Sequence, residues 1–257
     1  MRVMIKGVDI HIQEPDSTGA EKDPSLLFIH GTGGDASAWE PQAVFFKGKY
    51  LVFRIELPGH GHSAGSGESE IEKYADWVRM AIEMGLGSRP FVAAGHSMGG
   101  AIVLKLAANP PPGMKGMVLV GTGARLGVMP AIFQALEENP EAFFKTIEQV
   151  AFSACTPAEI RESIVGAIRR CAPSVILKDF KACNRFDIRD QLSQITLPSL
   201  MICGEEDKLT PVKYSTFLQQ NLPASGLVVV PEAGHMVMVE KPEVLNMAIE
   251  RFLDYDL

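Results

Sequence analysis

Cysteine is scarce. The four in 257 residues, Cys155, Cys171, Cys183 and Cys203, form no C-x-x-C pair and have no histidine placed for a zinc site. That excludes a disulfide framework and fits a reducing compartment. Basic residues are also in short supply, since 24 lysines and arginines against 31 acids leave a net charge of −7. A nucleic-acid binder concentrates cationic side chains against phosphate, and without such a cluster neither nucleic acid nor anionic lipid is an expected partner. No apolar run reaches the ~20 residues of a membrane helix, and the opening residues alternate apolar with polar and carry Lys6 and Asp9, unlike a secretory leader. Internal repeats and low-complexity tracts are absent. What remains is the expectation of a soluble, cytoplasmic protein that acts on a small molecule.

What is present is ordinary globular composition, 46% hydrophobic and 21% charged. A chain of this length can bury roughly 75% of its unfolded surface. Val3 to Lys6 and Val8 to Ile12 alternate about Gly7, the pattern of an opening hairpin. Short apolar runs follow at Leu26 to Ile29, Tyr50 to Ile55, Phe91 to Ala94, Met117 to Val120, Leu200 to Cys203 and Leu227 to Val230. Runs that are apolar on both faces suit parallel strands covered by helices. Between them lie helical periods at 71–84, 99–108 and 244–253, the first with Ile71, Tyr74, Ala75, Val78, Ala81 and Ile82 on one stripe. The pattern predicts an α/β protein: a mostly parallel, open twisted sheet covered by helices, with ligands at the carboxyl ends of its strands.

Thr122 to Gln191 breaks the alternation. It holds no good strand, and Pro130, Pro140, Pro157 and Pro173 each stand where a helix can begin. Residues 122–191 are therefore expected to be a helical insertion into a core made of 1–121 and 192–257. Its apolar positions either pack the helices together or, if the insertion roofs the strand ends, shape a pocket. Phe133, Phe143, Phe144 and Phe152 are the candidate lining residues.

The chemistry gathers around Gly95-His96-Ser97-Met98-Gly99, which fits the G-x-S-x-G nucleophile elbow between a strand and a helix. Such a tight turn crowds the positions two before and two after the serine, and Gly95 and Gly99 relieve it. A serine hydroxyl needs a base, and the base an orienting acid. Of six histidines, His11, His30, His60, His62 and His96 fall in the hairpin or in turns, whereas His235 alone follows the last strand run. Glu205, Glu206 and Asp207 follow Leu200 to Cys203 and supply the acid candidates. His60-x-His62 shows no third metal ligand, and the glycines of His30 to Gly34 form neither G-x-G-x-x-G nor a P-loop, so no metal or cofactor is implied.

Taken in order, His30-Gly31, Leu57-Pro58-Gly59-His60-Gly61-His62-Ser63, the Ser97 elbow, Gly204-x-x-Asp207-x-x-x-Pro211 and Gly234-His235 resemble the α/β-hydrolase family over nearly the whole chain. The resemblance implies a Ser97, His235 and Asp207 triad, with Asp207 chosen over its glutamate neighbours, and a helical cap over the site. It also implies oxyanion donors at the Thr32 and Met98 amides. Thr32 departs from the bulky apolar residue many members carry there. The function implied is hydrolysis of a small carboxylic ester, with thioesterase, lactonase, carbon–carbon hydrolase, lyase and cofactor-free haloperoxidase as rivals on the same triad. A receptor-like binding module is the rival from another class.

Overall fold

Strands with apolar residues on both faces can bury both, and in the computed structural model Leu26 to Ile29, Phe91 to Ala94, Met117 to Val120 and Leu200 to Cys203 do, whereas Leu227 to Val230 leaves Val229 exposed. The structure describes residues 1–14, 21–255 and 257. The strands are β1 (Arg2–Ile5), β2 (Val8–Gln13), β3 (Lys22–Ile29), β4 (Tyr50–Ile55), β5 (Phe91–His96), β6 (Met114–Val120), β7 (Ser199–Gly204) and β8 (Ser225–Val230). They form one sheet in the order β1-β2-β4-β3-β5-β6-β7-β8. β1 and β2 make the expected hairpin, β2 pairs antiparallel with β4, and every later pairing is parallel. Strand order reverses about β3, with β4 on one side and β5 on the other. The crevice beyond the carboxyl ends of β3 and β5 is thus the topological switch point where open sheets bind ligands.

The period of two sorts each strand between two cores. Leu27, Ile29, Phe53, Ile55, Phe91 and Ala93 face one layer, and Leu26, Phe28, Val52, Val92 and Ala94 the other. The first layer is covered by α2 (Ile71–Gly85) and α3 (Met98–Ala107), the second by α1 (Glu40–Phe46) and α10 (Pro242–Tyr255). All six residues of the α2 stripe are buried, while its N-cap Glu70 makes no side-chain cap bond. The stripe decides this helix, because each large apolar side chain contributes roughly 1.5–3 kcal/mol on burial against ~1 kcal/mol for a good cap.

Between β6 and β7 run α4 (Pro130–Glu138), α5 (Pro140–Val150), α6 (Ala158–Arg170) and α7 (Pro173–Arg185). Pro130, Pro140 and Pro173 occupy the first helical turn, and Pro157 the position before α6. Three helices were not anticipated, α1, α8 (Val212–Asn221) and the short α9 (Val237–Glu240), which leads into α10. Among the described residues, no helix is long and apolar enough to cross a membrane. All four cysteines are free thiols.

Candidate active site

Ser97 stands between β5 and α3 with φ 53° and ψ −115°, a strained backbone that few L-residues adopt. The flanking glycines make it possible. A Cβ on Gly95 would lie 2.2 Å from the Gly99 carbonyl oxygen, and one on Gly99 would lie 2.3 Å from that of Ile29. The turn is fixed from outside as well, since Ser97 N–H donates to the Val120 carbonyl at 2.9 Å and the Thr122 hydroxyl donates to the Ser97 carbonyl at 2.8 Å.

The loop after β7 brings Asp207 to His235. The Oδ2 atom of Asp207 lies 2.9 Å from His235 Nδ1 and accepts from the Thr210 hydroxyl at 2.7 Å. Its Oδ1 atom accepts from the Leu209 and Thr210 amides, each at 2.8 Å. Burial opposes ionisation of this carboxyl, but the His235 charge and the hydrogen bonds more than reverse that and hold it well below the usual carboxylate range. Nδ1 of His235 faces the Asp207 carboxylate and, at 3.2 Å, a Thr210 hydroxyl whose proton goes to Asp207, so Nδ1 carries the ring proton and Nε2 is left as the free base. Glu205 is exposed, and Glu206 turns to the Ala154 amide.

The His235 loop is seated by contacts that sequence reasoning missed. Glu240 accepts the Gly234 and Met236 amides at 3.0 Å each, the Ser153 amide at 2.8 Å and the Thr156 hydroxyl at 2.6 Å. His235 N–H donates to the Ala151 carbonyl at 2.9 Å, tying the loop to the end of α5. Beneath it, His96 Nε2 donates to the His235 carbonyl at 3.0 Å. An acid four residues into a short helix gives no local sign of such a role.

Ser97 and His235 open into one cavity of about 80 Å³. Gly31, Thr32 and Gly34 line it, together with Phe143 and Ile147 of α5, Ile164 and Ile168 of α6, Phe180 of α7, Leu209 and Met236. Of the four candidate phenylalanines, Phe143 reaches the cavity; Phe133, Phe144 and Phe152 do not, which corrects their reading as lining residues. Phe144 lies beneath the Arg169 guanidinium, 4.8 Å from its ring centre. The backbone of Phe152 packs so close to Gly234 that a Cβ there would sit 2.6 Å from it. Phe133, half-buried on α4, is absent from the lining.

Neither the Thr32 nor the Met98 amide has an acceptor among the described residues. The Thr32 hydroxyl sits 4.0 Å from Cys183 Sγ, turned toward the insertion. His60 and His62 diverge: His60 is fully buried against Asp179, whereas His62 is exposed beside Glu56. Among the described residues, His11, Glu56 and His62 bring metal-ligand atoms within 4.8 Å of one another, and hydrogen bonds from the His62 amide and both imidazoles already meet the Glu56 carboxylate.

The model of the alpha/beta hydrolase family matches residues 26–248. A pimeloyl-[acyl-carrier protein] methyl ester esterase of Vibrio campbellii is 25% identical over 244 residues, 89% of this chain and 94% of its own. The 3-oxoadipate enol-lactonase 2 of Acinetobacter baylyi is 29% identical over 241 residues, 90% and 89% of the two chains. A solved thermophilic esterase is similar at 33% identity with a TM-score of 0.87, covering 99% of this chain and 96% of that one.

Proposed function

We propose that this chain, which belongs to the alpha/beta hydrolase family, cleaves small carboxylic esters through a Ser97, His235 and Asp207 triad. The observation that carries the reading is the meeting of a strained serine and an aspartate-anchored histidine in one cavity. Ser97 Oγ attacks the ester carbonyl while His235 Nε2 takes its proton, and the negative charge on the carbonyl oxygen falls to the unpartnered Thr32 and Met98 amides. The alcohol leaves with the proton from His235. Water then gives a proton to the same nitrogen as it attacks the acyl carbon. The acid departs and the proton returns to Ser97.

The cavity defines the substrate further. It is small and mostly apolar, which suits a short acyl or alcohol group. Its lining carries one carboxylate, Asp35, and neither lysine nor arginine. Esters without a free carboxylate should therefore be preferred, since Asp35 is already paired with the Arg170 guanidinium at 3.1 Å and no cation in the lining is left to bind a substrate anion. Residues 122–191 act as a cap over the core of 1–121 and 192–257, supplying the apolar roof. No metal or organic cofactor is required, because nucleophile, base and donors all come from the chain.

A panel of p-nitrophenyl esters of increasing length, with acyl-thioesters and lactones alongside, tests the reading. Short neutral esters should turn over fastest, and Ser97→Ala and His235→Ala should each lose several orders of magnitude while remaining folded. Near-wild-type turnover by either variant would remove the mechanism, and no turnover of any member would favour the binding-module alternative.

A further inference from the structure

The loop after β3 is pinned on both sides of Thr32. Gly31 O accepts the Gly34 N–H at 3.1 Å and lies 2.9 Å from His30 Nδ1. His30 Nε2 accepts the Leu57 N–H at 3.1 Å, so the proton of the neutral ring sits on Nδ1 and is donated to Gly31 O. In a planar trans peptide the N–H points opposite to the C=O, so fixing the Gly31 carbonyl aims the Thr32 N–H the other way. The next peptide is fixed through its nitrogen, as Gly33 N–H donates to Asp179 Oδ2 at 2.9 Å.

Asp179 is an acid on the apolar stripe of α7, flanked by Val175, Ile176, Ala182 and Cys183 and wholly without exposure. The same Oδ2 lies 2.8 Å from His60 Nε2, and Oδ1 accepts the Tyr74 hydroxyl. His60 is equally buried, and its Nδ1 faces the Pro58 carbonyl at 3.1 Å. Both of its nitrogens meet oxygens that only accept, so both carry protons and the ring is an imidazolium. Burial works against that charge, and Asp179 more than reverses it, raising the pKa well above the ordinary value. A buried ion pair is a poor stabiliser compared with apolar side chains of the same volume, so its presence calls for another role.

We infer that Asp179 and His60 are positioning residues that hold the Thr32 amide in place, so that the oxyanion site is complete only when the insertion is docked on the loops after β3 and β4. The inference rests on the reading of Thr32 as an oxyanion donor. Loss of Asp179 frees Gly33 N–H and lets the Thr32 peptides rotate, which weakens binding of the transition state more than binding of the ester. The insertion would thus supply an apolar roof and also one of the pins of the catalytic floor.

The test compares wild type with Asp179→Leu, which keeps a similar volume and removes every acceptor for the Gly33 N–H, and with His60→Gln. Each is assayed on p-nitrophenyl acetate and for inhibition by phenylboronic acid, whose adduct on a serine is tetrahedral. Removal of a whole oxyanion donor costs ~10²–10³ in turnover. A loosened one should lower kcat about 10- to 100-fold, leave KM within about 3-fold and weaken the boronate by a factor similar to the loss in kcat. Should Asp179→Leu not fold, Tyr74→Phe, which removes the hydroxyl that donates to Oδ1 and accepts the Glu68 N–H at 2.8 Å, should still lower kcat several-fold at constant KM. Folded variants with wild-type kcat, or a loss confined to KM or to melting temperature, would overturn the inference while leaving the esterase reading intact. A wild type that hydrolyses no ester would overturn both.

Discussion

Acidification from pH 7 to 4 should cost the fold on the order of 6 kcal/mol through two buried imidazoles. His30 and His96 are 0% and 3% exposed, and both are wired into the site as neutral rings, His30 to Gly31 and Leu57, His96 to the His235 carbonyl. Burial, and after it the charge of His60, pushes His30 down to about 4; burial, and after it that of His235, pushes His96 down to about 3. A free imidazole titrates near 6.5. Their contribution is therefore complete above pH 6.5 and disappears as the pH falls through the folded values, because the unfolded chain takes up the protons first. Linkage gives about 3 kcal/mol for each ring at pH 4, a large part of the 5–15 kcal/mol typical of whole domains. His60 offsets this by only about 1 kcal/mol, since its pKa is raised and below 6.5 it is protonated in both states. Urea unfolding followed by circular dichroism at pH 7, 6, 5 and 4 measures the effect. With a slope of about 3 kcal/mol per molar the midpoint should fall by nearly 2 M, most of it below pH 6. A midpoint that moves by less than about 0.5 M would refute the assignment of both rings as neutral in the native state.

Gly95→Ala should give no active enzyme, because its Cβ would meet backbone atoms of Gly99 and Gly100 at 2.2–2.6 Å; soluble expression with wild-type ester turnover would contradict the elbow geometry. Phe143→Ala should shift the chain-length profile toward longer or bulkier esters, by at most ~1–3 kcal/mol per methylene. Phe144→Ala, away from the cavity under Arg169, should lower melting temperature without changing that profile, and kcat/KM ratios across the ester panel distinguish the two. Asp207→Asn should reduce kcat by about 10⁴, since an amide in that position favours the wrong His235 tautomer; steady-state kinetics on p-nitrophenyl acetate reads the loss, and a change below 10-fold would show that Asp207 does not orient the base.

Much of the sheet was legible because continuous apolar runs have few alternatives in a chain that lacks membrane-length segments. The α2 stripe was legible because its period is strict. The helices α1 and α8 were not, since α1 spans seven residues with Val44 exposed and α8 buries only Ser215 and Leu218, so tertiary contacts rather than periodicity define them. Motif order drew attention to Ser97, Asp207 and His235, and the structure adds the geometry that joins His235 to Asp207. Glu240 and Asp179 escaped notice because key partners come from distant parts of the chain, Ser153 and Thr156 for Glu240 and Gly33, His60 and Tyr74 for Asp179. For Asp179 a signal did exist, an acid on an otherwise apolar helical stripe. Phe143 and Phe144 show the limit of periodicity: both are buried, but about 100° apart around α5, so one faces the cavity and Phe180 while the other faces Arg169.

The central claim is that Ser97 carries the acyl group, and covalent trapping tests it most directly. After treatment with a fluorophosphonate, intact-mass measurement and peptide mapping should find one adduct per chain, on Ser97. It should be absent from Ser97→Ala and form much more slowly in His235→Ala. A stoichiometric adduct on any other residue, or none in protein that hydrolyses esters, would contradict the account.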